Sequence, residues 1–202
     1  MGIVLAKAIG VYDGKHVAQT QSYGPQSRGG SSKAEIVVSD EEIDYPEAMK
    51  LDLLLAMNQI SCDEYYTDLK PEGLLIADST FVTQLPVSRA FVIPFTRIAR
   101  EKLNQESTAN MIAIGTLPIL TGIVSPRALE RAIRERLPGA EDLNFDGAVD
   151  VWHQLLDGQQ VRGGAARRVR AVEHGDRRER VAGQLGILGA TQDDGILPRR
   201  AR

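Results

Sequence analysis

Leu51-Asp-Leu-Leu-Leu-Ala-Met57 and Gly73-Leu-Leu-Ile-Ala-Asp78 are two short, nearly continuous apolar runs. Asn58 to Leu69 lies between them with helical character, and Pro71-Glu-Gly73 introduces the second run. A strand that is wet on one face alternates apolar with polar residues; a strand buried on both faces does not. Two such runs joined through a helix predict parallel neighbours covered by helices. The pair therefore predicts an α/β fold with a largely parallel, doubly wound sheet.

The flanks agree. Downstream, Ala90-Phe-Val-Ile-Pro94 reads as a further strand and Thr96 to Asn104 as a helix. Thr108 to Ile123 is a mostly apolar helix with a kink predicted at Pro118, where the ring removes a backbone donor. Ser125-Pro126 is an N-cap followed by Pro at the first helical position, and Pro138-Gly139 stops that helix after Leu137. Upstream, Ala34 to Ser39 and His16 to Ser22 read as strands, Asp13-Gly14 as a turn and Gly2 to Val11 as a helix without a cap ahead of it. The C-terminal helices follow the sheet, and the sequence contains no internal repeat.

Composition bounds the chemistry. The chain has 202 residues, enough for one domain with or without an appendage, and 43% hydrophobic against 5% aromatic residues, so aliphatic side chains build the core. The single cysteine, Cys62, excludes an internal disulfide framework and any Cys-based zinc or iron–sulfur site. His16, His153 and His174 lack metal-ligand spacing. No Ser–His–Asp signature, P-loop or metalloprotease motif occurs. No run approaches a membrane span and no basic-then-apolar leader is present, so a cytoplasmic protein is expected.

The net charge of −3 conceals an asymmetry. Residues 1–157 carry 14 Lys and Arg against 22 acids, a balance of −8, and residues 158–202 carry 10 Arg against 5 acids, a balance of +5. That tail is rich in Gly, Arg, Ala and Val, without lysine or aromatics. A basic nucleic-acid arm is one reading. The other is out-of-frame translation of GC-rich codons. Either way the tail is expected to lack stable structure, because few large apolar residues offset the ordering entropy.

Between the two N-terminal strands runs Gln19-Thr-Gln-Ser-Tyr-Gly-Pro-Gln-Ser-Arg-Gly-Gly-Ser-Ser-Lys-Ala-Glu35. The loop exceeds an ordinary turn of two to five residues. Gly29 and Gly30 lack a Cβ, so another molecule can approach the main chain. Arg28 offers a planar fork for carboxylate or phosphate. Ser22, Tyr23 and Gly24 lead into it from a strand end, where open α/β sheets gather ligands. The residues alone leave open a flexible surface loop, and leave Tyr23 open between ligand stacking and packing on a partner. Asp78 reads as a cap or turn residue rather than a ribose ligand. Asn110, near the start of an apolar helix, is either an anion contact or a partner for backbone groups.

Tyr12-Asp-Gly-Lys15, Gln19 to Pro25 and Arg28-Gly-Gly30 resemble the gamma subunit of 2-oxoacid:ferredoxin oxidoreductases, the 2-oxoglutarate type above all. The resemblance continues through Ser39 to Pro46, Asp68 to Asp78, Ala109-Asn-Met111 and Gly122-Ile-Val-Ser125, and fades at Leu143-Asn144. It implies a Rossmann-like region over residues 1–144, followed by an Arg/Gly-rich tail over residues 145–202. The family begins with a strand and a Gly-Gly-Gln-Gly-type loop that precede the first helix here. The resemblance therefore implies an N-terminally truncated chain, a sheet lacking its usual first strand, and an aberrant tail.

It also implies a subunit without a catalytic set of its own. The whole enzyme would convert 2-oxoglutarate, CoA and oxidised ferredoxin into succinyl-CoA, CO2 and reduced ferredoxin, or the reverse. Thiamine diphosphate, Mg and iron–sulfur clusters would sit on alpha and beta subunits, and on a delta subunit where one exists. Ferredoxin and CoA would be met through the complex, with no membrane and no nucleic acid. Ser22, Tyr23, Gly24, Arg28, Gly29, Gly30 and Asn110 are the CoA- or interface-binding candidates. Pyruvate or branched-chain 2-oxoacid specificity, and a diverged binding protein with a nucleic-acid-binding tail, are the alternatives. A free-standing dinucleotide enzyme would need a Gly-rich loop on an intact first strand.

Overall fold

A computed structural model describes residues 1–23, 32–86, 90–136 and 183–189. In chain order the elements are α1 (Gly2–Lys7), continued by a π-helical turn (Ala8–Tyr12), β1 (His16–Tyr23), β2 (Ser32–Ser39), β3 (Leu51–Ala56), α2 (Gln59–Tyr65), β4 (Leu69–Asp78), β5 (Ala90–Ile93), α3 (Phe95–Leu103), α4 (Ala109–Gly115), α5 (Leu117–Leu120), α6 (Pro126–Arg136) and β6 (Gly183–Gly189). One six-stranded sheet runs in the order β1-β2-β6-β3-β4-β5. β6, β3, β4 and β5 pair in parallel, and β2 pairs antiparallel with both β1 and β6. Five strands thus point one way and β2 alone is reversed.

The continuous apolar runs are buried on both faces, as their patterning requires. Leu53, Leu55 and Ile76 join Ile36, Phe91 and the apolar sides of α1, α3, α4, α5 and α6. Leu54, Ala56, Leu75 and Ala77 join Cys62 of α2 on the other face. Period-two alternation along β3 and β4 accounts for the division.

Several boundaries move for local reasons. The helix after β3 ends at Tyr65, with a 3₁₀ turn over Tyr66–Asp68, and β4 begins at Leu69. Leu69 pairs with Leu51, and a register shift follows between Leu51 and Leu53. Pro71 is tolerated beside that irregularity. Gly73 is dictated by space: a Cβ there would lie 2.6 Å from the Leu69 side chain and 2.9 Å from the Lys70 carbonyl. The helix predicted over 108–123 divides into α4 and α5 at Thr116. Pro118 has no N–H for the Ile114 carbonyl, and Thr116 Oγ1 instead donates to the Ala113 carbonyl at 2.7 Å.

Ser125 is the cap that the sequence predicts, and it does more. Its Oγ accepts from the Ala128 N–H and donates to Asp13 Oδ1 at 2.6 Å, while its N–H donates to Asp13 Oδ2 at 2.7 Å. One carboxylate thus ties the end of the first helix to the start of α6. Gly14, next to Asp13, turns the chain at φ 71°, a conformation that favours glycine.

The tail requires a correction. Residues 183–189, expected to lack structure, form β6 between β2 and β3, near the centre of the sheet. Three glycines among those seven residues hid the strand from propensity reasoning.

Burial sets the energetic scale. Ile76→Ala removes a fully buried side chain from the principal core and should cost about 2–5 kcal/mol. Ile60→Ala, at an exposed position, should stay within about 0.5 kcal/mol. Chemical denaturation of both variants checks the contrast.

Candidate functional site

The carboxyl ends of β1, β3, β4, β5 and β6 share one edge of the sheet, because those five strands run in the same direction. Open α/β sheets bind ligands at this edge. Tyr23 closes β1 there, its backbone paired with Ser32 at the start of β2. Ser22 is exposed beside it. Gly24, Arg28, Gly29 and Gly30 lie in the connection between Tyr23 and Ser32, outside the described residues. Both strand ends that carry this connection therefore stand at the binding edge.

The neighbouring β3 and β4 ends are wired by side chains. Asp78, fully buried at the end of β4, accepts the Thr80 N–H at 2.9 Å, the Thr96 N–H at 3.0 Å and the Thr96 hydroxyl. It closes a turn and satisfies the start of α3 together, which is the cap-or-turn role expected of it. All of these contacts point into the protein, so its carboxylate is committed to structure. Asn58 caps α2 by accepting the Ser61 N–H at 2.8 Å. Gln59 Oε1 accepts the Thr83 and Gln84 N–H groups at 2.9 and 3.0 Å, and its Nε2 donates to the Gln84 carbonyl at 2.9 Å. A single amide thus fastens the segment after β4 onto the start of α2. Asn58 carried a readable signal, an Asn immediately before a helix; Gln59 carried none, because its partners lie 24 and 25 residues away.

Asn110 is not brought to this edge. α3 starts at the edge, where Thr96 meets Asp78, and leads away from it. Asn110 lies in the first turn of α4, beyond the far end of α3. Its Oδ1 is buried without a partner among the described residues. Exposed apolar side chains at the edge, Ile60, Phe81 and Leu85, suit protein contact.

The described residues at the edge include no reactive set. Cys62 is buried on α2 and its thiol is pushed up from 9.0 to about 11 by burial and by the Asp63 charge beside it, so it stays protonated and inert at neutral pH. Among the described residues no group of three or more His, Cys, Asp or Glu could hold a metal ion. None of their helices is long and apolar enough to cross a membrane. What the described part of the edge offers is contact surface: exposed Ile60, Phe81 and Leu85, beside the ends of β1 and β2 between which the Arg28-bearing connection lies in sequence.

The sequence profile of the family described as pyruvate ferredoxin/flavodoxin oxidoreductase matches residues 1–149. This chain belongs to that family. It is similar to the 2-oxoglutarate synthase subunit KorC of Methanothermobacter marburgensis, with 43% identity over 168 residues that cover 79% of this chain and 90% of that subunit. Among solved structures, the keto/oxoacid ferredoxin oxidoreductase gamma subunit of Geobacter sulfurreducens aligns with a TM-score of 0.61 and 37% identity, covering 74% of this chain and 89% of that one. The 2-oxoglutarate:ferredoxin oxidoreductase of Magnetococcus marinus, with 2-oxoglutarate, coenzyme A and succinyl-CoA bound, aligns with a TM-score of 0.63 at 16% identity, covering 90% of this chain and 30% of that chain. That likeness shows the fold. The gamma-subunit resemblance read from the sequence is borne out: the chain is a gamma-type subunit of an oxidoreductase complex.

The Cys62 environment gives a pH dependence. Its pKa is higher folded than unfolded, so below pH 9 the buried thiol imposes no penalty, and stability falls as pH rises from 9 toward 11. Denaturation midpoints across that range should show this component in the native sequence and lose it in Cys62→Ala.

Proposed function

We propose that this chain is the gamma subunit of a 2-oxoglutarate:ferredoxin oxidoreductase, and that its share of the work is to bind partner subunits and to form part of the CoA side of the site. The complex converts 2-oxoglutarate, CoA and oxidised ferredoxin into succinyl-CoA, CO2 and reduced ferredoxin, or runs in reverse. The observation that carries the choice of 2-oxoglutarate is the 43% identity to a 2-oxoglutarate synthase subunit along 90% of that subunit.

The division of labour follows from the donor set. A cluster of the common kind takes four cysteine thiolates, and the whole chain has one cysteine, held as a buried thiol. The residues present do not fit an iron–sulfur cluster. Thiamine diphosphate, with Mg, supplies carbanion stabilisation when bound. These groups belong to the alpha and beta subunits, and to a delta subunit where one exists. The assembly is cytoplasmic.

CoA is an anion with a long flexible arm. The Arg28 guanidinium matches its phosphate oxygens, and the N–H groups at Gly29 and Gly30 can approach without a Cβ in the way. Ser22 and Tyr23 end β1 at the carboxyl edge of the sheet, and Gly24 follows them in sequence. Asn110 stands apart from this group; its orphaned Oδ1 fits a contact with a partner subunit, which would supply the missing donor.

The test is the assembled complex, co-expressed from this gene and those of its partners. Ferredoxin reduction should require 2-oxoglutarate and CoA and be much slower with pyruvate or 2-oxoisovalerate. Arg28→Ala should raise the KM for CoA by about tenfold or more, the loss of one charge-assisted contact, with kcat within about twofold. Preference for pyruvate or a branched-chain 2-oxoacid would overturn the substrate assignment. An unchanged KM for CoA would remove Arg28 from the CoA side.

A further inference from the structure

We infer that the space between β2 and β3 is a strand-acceptor site, filled in this chain by its own residues Gly183–Gly189 and able to take an added extended peptide of that aliphatic–glycine kind. The inference is independent of the subunit assignment.

Three observations support it. First, β6 is the only strand paired with both halves of the sheet: it meets β2 over Ser32–Val38 and β3 over Leu53–Ala56. Without it, two rows of backbone donors and acceptors would face each other unpaired. Those rows are flanked by buried residues on both faces, Ile36, Val38, Leu53 and Leu55 on one and Leu54 and Ala56 on the other. Buried, unpaired backbone groups are costly, so the space binds whatever strand can complete both ladders.

Second, the occupant arrives late and from far away. Residues 137–182 separate the end of α6 at Arg136 from Gly183, so β1 to β5 and every described helix precede the strand that joins them. A segment on so long a connection meets the space much as a separate peptide would, at an effective concentration set by the connection.

Third, the occupant is a weak strand former. Gly183, Gly186 and Gly189 are three of its seven residues, and glycine adds no side-chain packing and carries the largest ordering entropy. The backbone ladder supplies the recognition, as in β-augmentation. The register sets Gly186 opposite Glu35 on one side and Leu54 on the other.

Two full-length variants test this. Gly186→Pro removes a donor in the middle of the strand. It should lower Tm by about 8 °C or more, and refolding it with a peptide spanning Val181 to Gln192 should restore Tm with one peptide bound per chain. The native chain should bind at least tenfold less of the same peptide. Separately, the Glu35→Cys, Gly186→Cys double variant should oxidise to a disulfide within a monomer, while Glu35→Cys paired with Leu188→Cys, two residues out of register, should not. The inference is overturned by an unchanged Tm in Gly186→Pro, by a peptide that fails to restore the variant, by equal peptide binding to both chains, or by cross-links that ignore register or join two chains.

Discussion

Among the described residues, the β1–β2 pair and the β3–β4–β5 sheet are hydrogen-bonded to one another only through β6. That ladder is the constraint on which the rest depends. β2 reverses the direction of the sheet, so a strand beside it must be antiparallel to β2 and parallel to β3 to complete both sides. β6 satisfies both conditions. The helix layer spans the same junction from above, with α1 beside β1, β2 and α6. Asp13 and Ser125 lock that layer by joining the first helix to α6. The N-terminal strand pair is thereby held in line with the parallel strands, with the paired backbone of Tyr23 and Ser32 at the common carboxyl edge.

Function follows from that alignment. The edge is stiffened by side chains: Asp78 is saturated by Thr80 and Thr96, and Gln59 fastens the segment after β4. The arginine- and glycine-bearing connection lies in sequence between Tyr23 and Ser32, whose strand ends stand at that edge. Its exposed Ile60, Phe81 and Leu85 offer surface on which a partner can bury apolar area.

The parallel strands were the most legible part of the sequence. The Leu51–Met57 and Gly73–Asp78 runs announce burial on two faces, and Ser125-Pro126 announces the start of α6, because each signal is local. Asp78 as a cap was legible for the same reason. β6 was not: its glycines depress strand propensity, and pairing with residues roughly 150 positions earlier leaves no trace in local periodicity. The early start of β4 at Leu69 was masked by Pro71. Gln59 was invisible because a side-chain latch onto distant backbone groups imposes no pattern. Of the candidate site, Ser22 and Tyr23 could be placed from strand order alone. Asn110 could not, since its distance from the edge depends on the direction of α3.

The central claim is that the β1–β2 tip contributes to the CoA side of an assembled oxidoreductase. Hydrogen–deuterium exchange on the assembled complex, with and without CoA, addresses it directly. The account predicts slower exchange on CoA addition in peptides spanning residues 20–34, with α6 unchanged. Protection confined to other subunits, with residues 20–34 exchanging identically in both conditions, would contradict it.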